Sequence, residues 1–306
     1  MKNKFLNIMR YVLGFVIIGA LVYKVGLVKI ADTLSNITAY ALLSFILIYI
    51  VSFTFSTTNI FMLLKCIHKK PVFSNVLHSF VNAWALGLLL PSKLGDFSMP
   101  FFLKTDSIDL GTGFATVFVD RLISFFVIYV FASFGVSELG KNFLLNIALV
   151  GLFIIAVITL FKFGFVKKII GKFFVNKYIN LNGFYETLVL YSRKKRLLAF
   201  NFLLSLINVL LSTLVIYIFF RTYGANVNFL TVLFIFSMVK IVSLIPLTPG
   251  GSGLKEVSAV YLFGLAGVDN GITIGVFLTI LIFNYLTAFI SLCILKKPKS
   301  QQPAHV

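Results

Sequence analysis

Apolar runs of about 20 residues recur along the whole chain, and that is the length an α-helix needs to cross roughly 30 Å of hydrocarbon. They fall near 9–28, 40–64, 73–90, 113–135, 143–163, 197–220, 229–247, 254–268 and 272–295, with polar or basic breaks between them. Only 12% of the residues are charged, against roughly 25% in soluble domains. The alternation of a membrane β-strand, apolar and polar over about ten positions, is absent. In lipid every backbone polar group has to be satisfied within the protein, so the spans are helical. The chain is therefore expected to be an all-α polytopic integral membrane protein.

Charge orients the spans. There are 27 Lys and Arg against 9 Asp and Glu, a formal net charge of +18. In a soluble protein this excess would point to nucleic acid. Here the basic residues sit in short stretches between apolar runs, as the positive-inside rule describes, and no nucleic-acid partner is expected. Lys2, Lys4 and Arg10, then Lys65, Lys69 and Lys70, then the basic stretch Lys162 to Arg196, and finally Lys296, Lys297 and Lys299 all belong on the cytoplasmic side. Parity allows this if 73–90 and the segment after Pro91 enter and leave on that same side, the alternative being an extra crossing elsewhere. The expected layout is about eight transmembrane helices plus broken or re-entrant helices, in the cell membrane, with both termini cytoplasmic. One membrane domain covers 1–295, with halves 1–164 and 197–295 joined by a basic segment, 165–196, and a tail at 296–306. Val166, Ile169, Ile170, Phe173 and Phe174 lie opposite Lys168 and Lys172, the pattern of an interfacial amphipathic helix. Met1 to Val22 lacks a small-residue cleavage site and reads as the first span.

Chemistry enters where the apolar pattern breaks. Leu88-Leu-Leu-Pro-Ser-Lys-Leu-Gly-Asp96 and Leu244-Ile-Pro-Leu-Thr-Pro-Gly-Gly-Ser-Gly-Leu-Lys-Glu256 each end an apolar run with Pro, continue with Gly and then present opposite charges. Pro removes a backbone donor and Gly permits an open backbone. A helix broken this way leaves peptide dipoles free to meet a ligand. One break lies in each half, the first entered from the cytoplasm and the second from outside, which is the sense of an inverted repeat. Asp120, Arg121 and Lys240 add ionisable groups inside spans, where charge is costly and pairs or lines a cavity. A cavity follows in which Lys93, Arg121, Lys240 and Lys255 offer cations to a phosphate, with Asp96, Asp120 and Glu256 positioning them. An internal ion pair that only joins helices is the other reading of Asp120 and Arg121.

Signatures of soluble enzymes are missing. His68, His78 and His305 show no metal or triad spacing, and Cys66 and Cys293 form no ligand or disulfide pattern. No cofactor is expected. Intramembrane catalysis with Asp96 or Glu256 as general base stays open as the alternative.

At the two breaks the sequence resembles the lysylphosphatidylglycerol synthase transmembrane-region family, also described as flippase-like domain proteins. That family shows an Asn, then Pro-Gly-Arg-x-Gly-Glu, then an acidic-Arg pair in the next helix. Here these read Asn82, Pro91-Ser-Lys-Leu-Gly95-Asp96 and Asp120-Arg121. The second family pattern, Gly-Gly-x-Gly-x-Arg-Glu, reads Gly250-Gly251-Ser-Gly253-Leu-Lys255-Glu256 after Pro249. Departures are Ser92 for Gly, Lys93 and Lys255 for Arg, Met99 where an Arg often precedes the Pro, and Ser124 where an Asp often follows the Arg. The resemblance implies a membrane domain that moves lipids across the bilayer, in some members aminoacylated phosphatidylglycerol. Other relatives accompany polyprenyl-linked glycan assembly, so a lipid-modifying enzyme or glycosyltransferase is the implied partner besides the lipids. The full synthases carry a cytoplasmic aminoacyl-transfer domain after the membrane part, which this sequence is expected to lack.

Overall fold

The computed structural model describes residues 37–67, 71–89, 95–104, 108–140, 144, 151, 183–245, 248 and 250–294. The expected spans at 9–28 and 143–163, the amphipathic stretch at 165–178 and the tail at 296–306 lie outside them, single positions 144 and 151 apart. Every regular element among the described residues is helical. In order these are α1 Ala39–Cys66, α2 Phe73–Leu89, a 3-10 turn Asp96–Ser98, α3 Met99–Leu103, α4 Leu110–Gly140, α5 Phe184–Ser192, α6 Lys195–Thr222, α7 Phe229–Val242, α8 Leu254–Leu265 and α9 Asn270–Ile294.

Four of them, α1, α4, α6 and α9, contain stretches long and apolar enough to cross a membrane. The starts of α1, α7 and α9 are set by polar side chains that meet unpaired backbone donors. Thr38 accepts from the Ala41 N–H at 3.2 Å, Asn228 from Leu230 at 3.1 Å and Asp269 from Ile272 at 3.0 Å. Leu43, Leu47 and Ile50 on α1 remain about 60% exposed at helical spacing, a face suited to lipid. The remaining apolar helices are shorter. At 1.5 Å per residue α2, α7 and α8 reach about 26, 21 and 18 Å, less than the hydrocarbon thickness.

The packing repeats. Matching α1–α4 to α6–α9 turns the contact of α2 with α9 into that of α7 with α4, and the contact of α1 with α4 into that of α6 with α9. The contact of α1 with α6 maps onto itself. Hydrogen bonds fix the sense. Asn59 and Ser52 of α1 meet Ser205 and Asn208 of α6 in opposite chain order, so the two helices that correspond are antiparallel. The repeat is therefore inverted, as the paired breaks suggested.

Polar side chains hold this arrangement in register. Asn201, Ser205, Asn208 and Ser212 recur along one face of α6 at helical spacing. Asn201 donates to Asp120 at 3.1 Å, Ser205 bonds Ser124 at 3.1 Å and receives Asn59 at 3.3 Å, and Asn208 lies between Ser52 and Ser56. Such bonds contribute only about 0.6 kcal/mol each on average inside membranes. Their effect is on register, because a slip by one turn would strand several amides in an apolar surrounding.

The short helices enter from opposite faces. Residues 225–228, between α6 and α7, and 266–269, between α8 and α9, line one cavity of about 390 Å³. The pair α7–α8 therefore goes in and returns on one side. On the other side Ile67, Leu64, Val76, Leu103 and Ile108 cluster where α1 ends, α2 begins and α3 leads to α4.

Candidate functional site

The inner tips of the two short-helix pairs meet. Gly250, in the second break, sits so close to the end of α2 that a Cβ there would lie 3.0 Å from the Leu88 carbonyl oxygen and 3.2 Å from its Cα. Tyr285 of α9 donates its hydroxyl to the same Leu88 carbonyl at 3.3 Å. Within the first break, Gly95 lies against Gly87, and a Cβ on Gly95 would fall 2.1 Å from the Gly87 Cα. Gly95 has no room for a side chain, and one at Gly250 would require the Leu88 backbone to shift. Gly250, Gly251 and Gly253 take φ of 57°, 74° and 87°, left-handed values that glycine adopts without strain. Open backbone in the apolar layer is tolerated where it is covered by protein or lines a polar cavity, and here each break helps to cover the other.

The charged residues divide into two groups. The first is on α4. Asp120 is 4% exposed and accepts from Asn201, while the Arg121 Nε stands 3.8 Å from its other oxygen. The Arg121 guanidinium lies 5.9 Å from the Phe80 ring centroid on α2. This group ties α4 to α6 and α2. Asn82, one turn from His78 on α2, places its amide nitrogen 3.0 Å from His78 Nδ1.

The second group surrounds the second break. Lys240 donates to Ser212 Oγ at 2.5 Å and lies 4.4 Å from the Phe236 centroid. Lys255 approaches Phe236 at 5.7 Å and Phe277 at 5.6 Å. Glu256, 1% exposed, turns back on its own helix and accepts the Gly253 N–H at 2.5 Å. This is the half of a capping box that the N3 side chain supplies; Gly253, at the N-cap, has no side chain to return the bond. The geometry gives its carboxylate a structural task at the start of α8.

Of the residues expected from sequence, Pro91, Lys93 and Pro249 lie outside the described residues, as does the side chain of Asp96, whose backbone opens the 3-10 turn. The structure brings Gly250 to the first break and sets Lys240 beside Lys255. Sequence reasoning missed Ser212, Phe236, Phe277, Asn201 and Gly87. The polar stripe on α6, four Asn and Ser residues at helical spacing in an otherwise apolar run, was a legible signal for Asn201 and Ser212. The aromatic residues carried none, because Phe is common throughout the chain, at 36 of 306 residues.

Comparison with known proteins agrees with the motifs at the breaks. The profile of a family described as the lysylphosphatidylglycerol synthase TM region matches residues 7–291. A UPF0104 membrane protein of Methanocaldococcus jannaschii is 28% identical over 251 residues, covering 73% of this chain and 99% of that protein. Two UPF0104 membrane proteins of Methanothermobacter thermautotrophicus match shorter stretches. One is 36% identical over 22% of this chain and 21% of its own length, the other 24% identical over 30% and 28%.

Proposed function

The chain belongs to the lysylphosphatidylglycerol synthase TM-region family, and from that premise we propose that it moves membrane lipids between leaflets, in the manner of a flippase, with an anionic, aminoacylated or polyprenyl-phosphate-linked lipid as cargo. The observation that carries the reading is the meeting of the two breaks, Gly250 against Leu88, inside an inverted repeat. Two half-length pairs entered from opposite faces and touching at their tips supply a polar point that each leaflet approaches in turn. Inverted-repeat transporters place substrate at such a point and alternate access by rocking one half against the other. The α1–α6 contact, which the repeat maps onto itself, is the natural pivot.

The test is headgroup exposure in proteoliposomes that contain labelled lipids of each class. The expected result is accelerated movement of at least one of them over protein-free vesicles. No acceleration for any class would overturn the reading. Lipid mass spectrometry on the same vesicles should return chemically unchanged lipid, since the cargo changes leaflet and not structure.

We also propose a sidedness in the cell membrane, from the basic residues. Arg193 and Lys194 precede α6 and Lys195 and Arg196 open it, and the loop at 225–228 follows it, about 42 Å along the helix axis. Positive charge belongs inside, so Lys194 is assigned to the cytoplasm and Asn226 to the exterior. In a background with Cys66 and Cys293 replaced by Ser, a membrane-impermeant maleimide should label Asn226→Cys in intact cells and Lys194→Cys only after lysis. The opposite pattern would invert the assignment.

A further inference from the structure

The inverted repeat makes two lateral seams equivalent, that of α2 with α9 and that of α7 with α4, yet they are closed by different means. Between α4 and α7 the Phe131 and Phe134 rings stack on Phe234, with centroids 6.5 and 5.6 Å apart. Val127 and Ile128 of α4 share a buried apolar cluster with Leu233 of α7. The backbones also come close, since a Cβ at Gly135 would lie 3.0 Å from the Phe234 carbonyl oxygen and 2.6 Å from Met238 Sδ. Among the described residues no such cluster joins α2 to α9. Val76, Phe80 and Val81 of α2 pack with α1, α3 and α4, whereas Val276, Phe277 and Ile280 of α9 pack with α1, α6, α7 and α8. The bond that spans this seam is polar and long, from the Tyr285 hydroxyl to the Leu88 carbonyl at 3.3 Å. Ala85 and Ala288, buried about one turn from it on either helix, are small. Helices in lipid are held by van der Waals contact and hydrogen bonds, with no gain from removing apolar surface from water. The α2–α9 seam is therefore the weaker of the two.

Its surroundings suit a lipid. Tyr285 is 38% exposed and sits in a band of exposed apolar residues on α9, Ile282, Leu286, Phe289 and Ile290. Behind the seam, Tyr49 of α1 donates to Asn284 of α9 and stands against Trp84 of α2, so α1 forms a back wall. Because α2 starts where α1 ends and stops short of the far face, the seam lies in the membrane half assigned to the cytoplasm. We propose that this seam is the lateral portal by which a membrane lipid reaches the breaks from the cytoplasmic leaflet, with the Tyr285–Leu88 bond as its latch and the α4–α7 seam sealed. The latch is exchangeable. An entering lipid offers ester and phosphate oxygens to the Tyr285 hydroxyl, so opening leaves no donor unmet in the apolar layer. Parting α4 from α7 would instead forfeit ring and side-chain packing that a lipid does not restore in kind. The inference rests on the proposed movement of lipid between leaflets and adds its route.

The experiment uses the full chain in phosphatidylcholine vesicles doped with phosphatidylglycerol that carries a diazirine on an acyl chain. After irradiation, peptide mass spectrometry locates the lipid adducts, with the lipid-facing Phe289 as internal reference. Ala288, 6% exposed with the seam closed, is expected to carry adduct, and Gly135 in the other seam none. Tyr285→Phe keeps the ring and removes the latch, and should raise the Ala288 yield about threefold to tenfold, the effect of one hydrogen bond on an opening equilibrium. No adduct at Ala288 in either protein, equal labelling of Gly135 and Ala288, or a yield that Tyr285→Phe leaves unchanged overturns the proposal. Transport is read separately. Leu88→Cys with Tyr285→Cys, in the background with Cys66 and Cys293 replaced by Ser, is bridged by a short bifunctional thiosulfonate that reductant removes. Bridging should slow headgroup movement of the same labelled lipid classes at least about tenfold, and reductant should restore it. Movement that persists through the bridge overturns the portal and leaves the translocation reading standing. Adduct at Ala288 without leaflet movement in wild-type protein overturns the translocation reading and leaves the seam as a lipid site.

Discussion

Asp120→Ala is expected to be the most destabilising single substitution among the charged residues of the membrane layer, at a cost on the order of 3–5 kcal/mol. The carboxylate is almost fully buried and faces two donors at once, the Asn201 amide of α6 and the Arg121 guanidinium of its own helix. Removing it deprives Arg121 of a countercharge and Asn201 of an acceptor, in surroundings where water cannot easily replace either. In detergent the thermal transition should fall by on the order of 10 °C, from the usual conversion of stability to midpoint for a chain of this size. Asp120→Asn still accepts from Asn201 and should recover part of the loss. The measurement is size-exclusion chromatography after heating, with fluorescence detection. A transition for Asp120→Ala within about 2 °C of wild type would show that the pair adds nothing to the lattice.

Gly95→Leu should have a comparably large effect through sterics alone. The first atom of any side chain at Gly95 would fall 2.1 Å from the Gly87 Cα and 2.2 Å from its nitrogen, so the end of α2 and the returning backbone would have to separate. Overfilling a packed contact costs about 1–3 kcal/mol where side chains can yield, and here the obstacle is backbone. Separating them also moves Leu88, whose carbonyl and Cα meet Gly250 and whose carbonyl receives Tyr285. The expected outcome is a lower yield of monodisperse protein together with headgroup movement at least about tenfold below wild type in whatever folds, a barrier change of about 1.4 kcal/mol. Gly140→Leu is the matched control, because nothing lies within 4 Å of a Cβ built at Gly140. Wild-type yield and movement for Gly95→Leu would mean that the two breaks do not depend on this contact.

Much of the architecture is legible in the sequence because the physics that sets it is local. Apolar runs specify spans, and Pro with Gly at 91–95 and 249–253 specifies where helices stop. The spacing of Gly253 and Glu256 is also that of a helix cap, which explains why Glu256 closes its own helix although its charge suggested a ligand role. The neighbours across helices are different. Lys240 and Lys255 meet at Phe236 because α7 and α8 fold back on each other, and Asp120 meets Asn201, 81 positions later, because α4 and α6 lie side by side. Such pairings are set by the summed packing of several helices, so residue type alone does not disclose them. Asp120 and Arg121 lie within α4, which contains a stretch long and apolar enough to cross a membrane. The structure adds that their contacts are lattice contacts.

The brevity of α7 and α8 has a consequence for how the chain enters a membrane in the first place. As folded helices neither reaches across the hydrocarbon on its own. Between them they also carry Lys240, Lys255 and Glu256, and a charge such as Lys at the centre of an inserting segment costs about 2.5–3.5 kcal/mol. Held at the depth of the breaks, helices this short and charged depend on their neighbours. Their partners are α4, made much earlier, α6, made just before, and α9, made immediately afterwards. The α7–α8 hairpin is therefore expected to settle only once those helices are in place. The last long span, α9, serves as the element that completes insertion as well as one that completes packing.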